Sequence, residues 1–224
     1  MDLVSWAGVG IVLILIAYLS VRKRLLDATG IFIGFIVAIF VAEKGGIGSF
    51  TAIILFFLAG EAITRYARQL HHRKSHEVRS TVNIIGNIGP AIIALAFQPA
   101  LFNVAFFSSL AAAFGDTLSS EIGILSRARP LLITTLQPAQ AGDDGAVSLL
   151  GFGAAAVGGL MFGILTFILT QNLQWIPIMT FAGIFGSALD SYIGATLQKW
   201  GYTDNNSTNF LAALVMGVLF AILF

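Results

Sequence analysis

Cysteine is absent from the chain, which excludes disulfides and thiolate metal sites and leaves the redox compartment open. Charge is scarce too. Only 10% of the 224 residues are Asp, Glu, Lys or Arg, against 57% hydrophobic, and the mean hydropathy is +0.90. That leaves too little polar surface to cover a water-soluble globule of this size. The three histidines all fall in one basic stretch, at 71, 72 and 76, so nothing resembles a Ser-His-Asp arrangement. The net charge of +1 lacks the clustered Lys and Arg that a nucleic-acid footprint needs, and nucleic acid is not an expected partner. Met1 and Asp2 precede the first apolar run, and Arg22, Lys23 and Arg24 follow it. That order does not resemble a cleavable signal peptide, so the run reads as a transmembrane helix of the mature chain.

What the chain has is apolar length. A helix rises about 1.5 Å per residue and the hydrocarbon core is about 30 Å thick, so a span needs about 20 mostly apolar residues. Eight segments meet that measure, some narrowly: 3–20, 25–42, 48–65, 83–98, 100–125, 149–170, 176–198 and 210–224. The expected fold is all-α, a polytopic transmembrane helical bundle of about eight spans forming a single integral membrane domain over residues 1–224. The fourth and eighth spans are short. The fifth and seventh carry Gly, Ser, Thr and Asp inside the apolar run, which marks these four as short or broken helices.

Orientation follows from Lys and Arg, which concentrate in short cytoplasmic loops. With the N-terminus outside, the inner connections hold Arg22, Lys23, Arg24, Arg65, Arg68, Arg73, Lys74, Arg79, Arg127, Arg129 and Lys199, which is 11 of the 12 basic residues. Lys44 alone falls outside. An even number of spans then puts both termini outside. The same topology brings the intramembrane polar residues to one level near the cytoplasm: Glu61, Asn83, Asn87, the run Asp116, Thr117, Ser119, Ser120 and Glu121, and the set Ser187, Asp190 and Ser191.

A carboxylate inside a transmembrane helix costs about 2.5–3.5 kcal/mol on insertion scales, so it persists where it has a partner, a cavity or a cation. A structural hydrogen bond or ion pair is the plain alternative for Asp116 and Asp190, and a headgroup-level position is the plain alternative for Glu121 and Glu61. Asp116 and Ser120 share a helix face, with Glu121 turned away from it. Residues 115–123 (G-D-T-L-S-S-E-I-G) and 186–194 (G-S-A-L-D-S-Y-I-G) agree at five of nine positions, and their glycines permit close packing that brings Asp116 near Asp190. Two carboxylates with hydroxyls and amides form a hard-oxygen environment suited to Mg²⁺, which keeps waters and is completed by substrate phosphates.

The connection 126–148 holds Arg127, Arg129, Thr134, Thr135 and the turn Gly142, Asp143, Asp144, Gly145 before Ser148. Glycines let backbone amides approach an anion, and Ser148 stands where a helix N-cap would leave N–H groups free. An ordinary polar turn with a cap is the alternative, and no Walker A pattern is present. In the basic connection 65–79, a topology signal touching anionic lipid is one reading and phosphate binding by Lys74 and Arg79 beside Asn83 is the other. His71, His72 and His76 read as solvated, since no carboxylate set stands at metal-ligand spacing.

Five stretches carry a resemblance: 79–90 (R-S-T-V-N-I-I-G-N-I-G-P), 114–123 (F-G-D-T-L-S-S-E-I-G), 129–135 (R-P-L-L-I-T-T), 142–151 (G-D-D-G-A-V-S-L-L-G) and 183–198 (G-I-F-G-S-A-L-D-S-Y-I-G-A-T-L-Q). In this order they are similar to the membrane family that includes phytyl-phosphate kinase of vitamin E salvage. More distantly they resemble CTP-using membrane enzymes such as dolichol kinase and phosphatidate cytidylyltransferase. The family pattern is basic near Gln137, where this chain is neutral. The resemblance implies phosphoryl transfer from CTP, or another nucleotide such as ATP, to an isoprenyl monophosphate. It further implies Asp116 and Asp190 on Mg²⁺ with Glu121 as a third candidate metal ligand, phosphates oriented by Asn83, Asn87, Thr117, Ser120 and Ser191, and the connection 126–148 closing over the nucleotide. The expected partners are the membrane lipid, the isoprenyl phosphate and the nucleotide, with a homodimer left open. Two rivals stand beside this reading: a transporter for a cation or an anionic lipid, and a cytidylyltransferase that attaches the nucleotide to the lipid and releases diphosphate.

Overall fold

A computed structural model describes residues 1–70, 81–100 and 102–224, without the side chain of Arg68. It is an all-α membrane bundle with one small two-stranded element. The helices in chain order are α1 (Leu3–Lys23), α2 (Ala28–Leu70), α3 (Thr81–Phe97), α4 (Val104–Gly123), α5 (Leu149–Thr170), α6 (Trp175–Ile193) and α7 (Asn205–Leu223). Five of them, α4 and the shorter α3 apart, are long and apolar enough to cross a bilayer.

Helix α2 is a folded pair. At Gly46 the backbone leaves helical geometry with φ 70° and ψ −171°, a left-handed φ that glycine adopts without a Cβ penalty. A straight helix would carry Arg65 about 55 Å from the start of α2 at 1.5 Å per residue. Instead Arg65 Nη2 donates to the carbonyl of Lys23, just ahead of that start, at 2.7 Å. The chain therefore doubles back at Gly46, and its two arms correspond to the second and third spans read from sequence. Glu61 Oε1 accepts from Arg65 Nε at 2.6 Å, so this carboxylate holds the end of α1 to the hairpin.

Polar side chains end the helices as expected of an N-cap residue, which satisfies amides that have no partner in the first turn. Asp2 accepts from Ser5 N, Asn103 from Phe106 N, Ser148 from Gly151 N and Asp204 from Ser207 N. Asn103 also donates to the Gln98 carbonyl at 2.7 Å, tying the end of α3 to the start of α4.

Three of the expected short or broken spans need adjustment. Helix α4 is unbroken and starts at Val104, because Asn103 caps it there. Helix α6 runs unbroken to Ile193 and then widens into a π-helical turn, Gly194–Gln198. Helix α7 starts five residues before the expected 210, because Asp204 caps a polar first turn that hydropathy assigns to the loop. Between α4 and α5 the chain forms two short antiparallel strands, β1 (Leu131–Leu132) and β2 (Ala146–Val147), with Leu131 opposite Val147.

The core is α4, wrapped by α2, α3, α5, α6 and α7. Phe114 on α4 sits between Phe56 of α2 and Phe162 of α5, with ring centroids 5.6 Å away on either side. Helix α1 packs mainly on α2 and shows most of its apolar side chains to the surroundings, as a lipid-facing helix does.

Candidate functional site

The site begins where α4 and α6 cross without side chains between them. A Cβ on Gly115 would stand 2.6 Å from the carbonyl oxygen of Gly183, and one on Gly186 would stand 2.4 Å from Ala112 Cβ. Only small residues let two helices meet this closely. Asp116 follows Gly115 and Ser187 follows Gly186, so the crossing sets them together: Ser187 Oγ donates to Asp116 Oδ1 at 3.4 Å. One turn on, Asp190 shares the face of Ser187, and the carboxylates of Asp116 and Asp144 lie within its electrostatic reach.

Helix α7 completes the group. With its amide turned to satisfy both neighbours, Asn209 Nδ2 donates to Asp190 Oδ2 at 2.9 Å and to the Asn205 carbonyl at 2.9 Å. The amides of Asn209 and Asn87 approach to 3.4 Å, and Asn83 Nδ2 donates to Asn206 Oδ1 at 2.8 Å. A row of amides thus runs from α3 through α7 to Asp190.

Above this group the connection between α4 and α5 folds over as a lid. Gly145 makes that possible. Its φ is 80°, and a Cβ there would stand 2.6 Å from the Ser191 carbonyl oxygen and 2.4 Å from Ala195 Cβ. The lid backbone therefore lies directly on the end of α6. Gln198, in the π-helical turn, clamps it by donating to Asp144 Oδ1 at 3.0 Å and is itself held by Thr208 Oγ1 at 3.1 Å. Ser148 caps α5 and donates to the Gly123 carbonyl at 3.2 Å, joining lid and bundle.

Lid and helix ends enclose a cavity of about 520 Å³, well within the range of small-ligand sites. Among the expected residues, Ser120, Glu121, Gly142, Asp144, Gly145, Ser148, Asp190 and Ser191 line it. Asp116 lies behind this wall, on Ser187. The wall carries Glu121, Asp143, Asp144 and Asp190, and among the described residues no Lys or Arg. Arg127 and Arg129 line a neighbouring cavity of about 730 Å³ that shares Pro130, Ala141 and Asp143 with the first.

Other expected residues stand elsewhere. Thr117 is turned from the Asp116 face, and its hydroxyl donates to the Ala113 carbonyl of its own helix at 2.9 Å. Thr134 and Thr135 are exposed at the far end of the lid, where Thr135 Oγ1 accepts from Gln137 N at 3.4 Å. Asn83 and Asn87 stand outside the cavity wall and are joined to the site through Asn206 and Asn209. Lys74 and Arg79, with the three histidines, lie outside the described residues. Among the described residues, no three acid or imidazole side chains converge as a metal cage, so Glu121 does not close a triad with Asp116 and Asp190. Sequence reasoning missed Gln198, Asn205, Asn206 and Asn209. The available signal was the amide-rich turn directly before the last apolar run, three and four residues apart on one helical face.

The family model described as integral membrane protein DUF92 matches residues 11–217, which include every side chain described at the site. The chain belongs to this family. It is 32% identical over 219 residues to Uncharacterized membrane protein MJ0933 of Methanocaldococcus jannaschii, covering 94% of this chain and 91% of that one. It is 28% identical to Protein PGR of Arabidopsis thaliana, with 93% and 92% covered. Identity to Uncharacterized membrane protein sll0875 of Synechocystis is 29%, with 88% and 83% covered. No solved structure matches the chain. Family membership agrees with the apolar helices in making this an integral membrane protein.

Proposed function

We propose that the protein is a phosphotransferase that uses CTP or another nucleoside triphosphate to convert an isoprenyl monophosphate into its diphosphate, at the cytoplasmic membrane face. One observation carries the reading: an acid-walled polar cavity with Asp190 in its wall and Asp116 behind it, covered by a lid that packs on α6 at Gly145, at the end of a lipid-embedded bundle. An acidic wall repels a phosphate unless a cation lies between them. The donor set fits Mg²⁺, which is bound through one or two carboxylates plus water and substrate phosphates and needs no all-protein cage. Asp190 would hold it from the wall, Asp116 would add its negative charge from behind, and the bound ion would neutralise charge on the transferring phosphoryl group.

The chain's own residues do the positioning. The lid, pinned by Gln198 on Asp144 and by Gly145 on α6, excludes water from the transfer and keeps the two phosphates in line. Arg127 and Arg129, in the adjoining cavity, would take the outer charges of the nucleotide. An oxygen of the lipid monophosphate attacks the γ-phosphorus, the bond from that phosphorus to the bridging β–γ oxygen breaks, and the nucleoside diphosphate leaves. No covalent nucleophile is required. The excess of Lys and Arg in the connections on this side supports the cytoplasmic placement, with both termini outside.

The test is a panel of isoprenyl monophosphates with labelled CTP or ATP, with and without Mg²⁺, on purified protein. The expected product is the isoprenyl diphosphate, formed only with Mg²⁺. Nucleotide joined to lipid with release of diphosphate would make it a cytidylyltransferase. An acid-walled cavity also suits a cation transporter, and cation flux into vesicles without nucleotide turnover would establish that reading instead.

A further inference from the structure

A second concavity lies between α1, both arms of the α2 hairpin and the first turns of α3. Its wall is hydrocarbon, including Leu13 and Phe57, and among the described residues its only polar side chains are Ser20, Asn83 and Asn87. These three stand at one end. Ser20 is one turn from the Lys23 carbonyl that receives Arg65, and Asn83 lies in the first turn of α3. From Ser20 to Leu13 the groove descends about 10 Å along α1, seven residues at 1.5 Å each. Gly34 lines it with nothing within 4 Å of where a Cβ would stand, so the slot is open there.

Two observations point to an occupant. Ser20 is 0% exposed and its hydroxyl has no hydrogen-bond partner, a state that a polar ligand atom at the mouth of the groove would relieve. The polar end also joins the candidate site, since Asn83 bonds Asn206 and the Asn87 amide approaches Asn209, which reaches Asp190. The hydrocarbon groove and the acid cavity share no wall residue and are linked by this row of amides. An amphiphile with one tail and an anionic head matches that order of surfaces.

We infer that this groove is the tail subsite, holding the hydrocarbon chain of a single-tailed lipid phosphate while Asn83 and Asn87 pass its head toward Asp190. The nature of the head group rests on the phosphotransferase reading. The groove's occupancy is separable from it.

The test is photolabelling of the full chain in nanodiscs with geranyl monophosphate, whose tail matches the depth of the groove, carrying a diazirine on its terminal isoprene, followed by mapping of the labelled residues. The expected labels fall on groove residues of α1, α2 or α3 and are competed by unlabelled geranyl monophosphate. Gly34→Leu fills the slot and lowers labelling about tenfold, as displacing about two buried methylenes of the tail would do. Labels spread over outward residues such as Phe181 and Phe185, or labelling insensitive to Gly34→Leu, overturn the assignment. If Gly34→Leu does not fold, Ala17→Phe narrows the opposite wall and carries the same expectation. Groove labelling without nucleotide turnover upholds the subsite and removes the kinase reading. Turnover without groove labelling does the reverse.

Discussion

Helices α1 and α4 are both about one bilayer long, yet they live in opposite surroundings. In α4 eleven residues are buried, in α1 only Val9, Leu13 and Ser20. The less apolar helix is the more buried one. Helix α4 carries Ser108, Ser109, Asp116, Thr117, Ser119, Ser120 and Glu121, whereas α1 from Ala7 to Val21 has only Tyr18 and Ser20 as polar side chains. In lipid there is little hydrophobic gain in hiding a leucine, so interiors collect small and polar residues that pack closely and bond to one another. Polarity inside a span therefore marks the core and, in this molecule, the site.

The strongest test of that contrast is at the carboxylates. Asp116→Asn and Asp190→Asn are each expected to lower Mg²⁺-dependent turnover about a hundredfold or more, as removal of a charge-stabilising group does, with normal elution on size exclusion. Wild-type turnover in either variant removes that residue from the proposed metal site. Next in size is packing. Gly115→Val forces a side chain into the Gly183 carbonyl and is expected to lower stability by about 1–3 kcal/mol, read as loss of monodisperse protein on heating. Gly10→Val on α1, with open space around it, is expected to stay within about 0.5 kcal/mol of the parent. Equal effects at the two glycines would break the contrast.

The lid gives a smaller effect. Gly145→Ala imposes a left-handed φ on alanine and a clash with the Ser191 carbonyl, and turnover is expected to fall about tenfold while the bundle's unfolding temperature barely moves. A large drop in unfolding temperature would make the lid part of the core. The smallest effect concerns the α7 cap, outside the membrane. The Ser207 hydroxyl and backbone N–H hold the Asp204 carboxyl below its ordinary value of 3.8. Its contribution is therefore full above that value and is lost as pH falls through the lowered one. The stability difference between parent and Asp204→Ala should be constant near neutral pH and shrink below about pH 4. A difference that persists in acid would show that the cap acts through shape alone.

Much of the fold was legible because its causes are local. Apolar runs mark helices, and the Glu43-Lys44-Gly45-Gly46 turn separates the second and third spans where the α2 hairpin folds. The end of α6 and the start of α7 were less legible. Gln198 and the amides at 205, 206 and 209 read as an ordinary polar connection, since nothing in their immediate neighbours says that they face Asp190. Thr134 and Thr135 erred the other way. They sit in a polar stretch among stronger candidates, but strand pairing of Leu131 with Val147 carries them away from the cavity.

By itself the sequence determined that lipid is this chain's solvent, that helices are its only means of satisfying the backbone there, and that its few intramembrane acids need partners. Those conclusions follow from composition and spacing, which act residue by residue. Which acids meet, which amides reach them and which hydrocarbon faces enclose a groove were decided only by the tertiary structure. Those depend on where helices cross, and crossings are set by glycines that oppose one another across long separations in the chain.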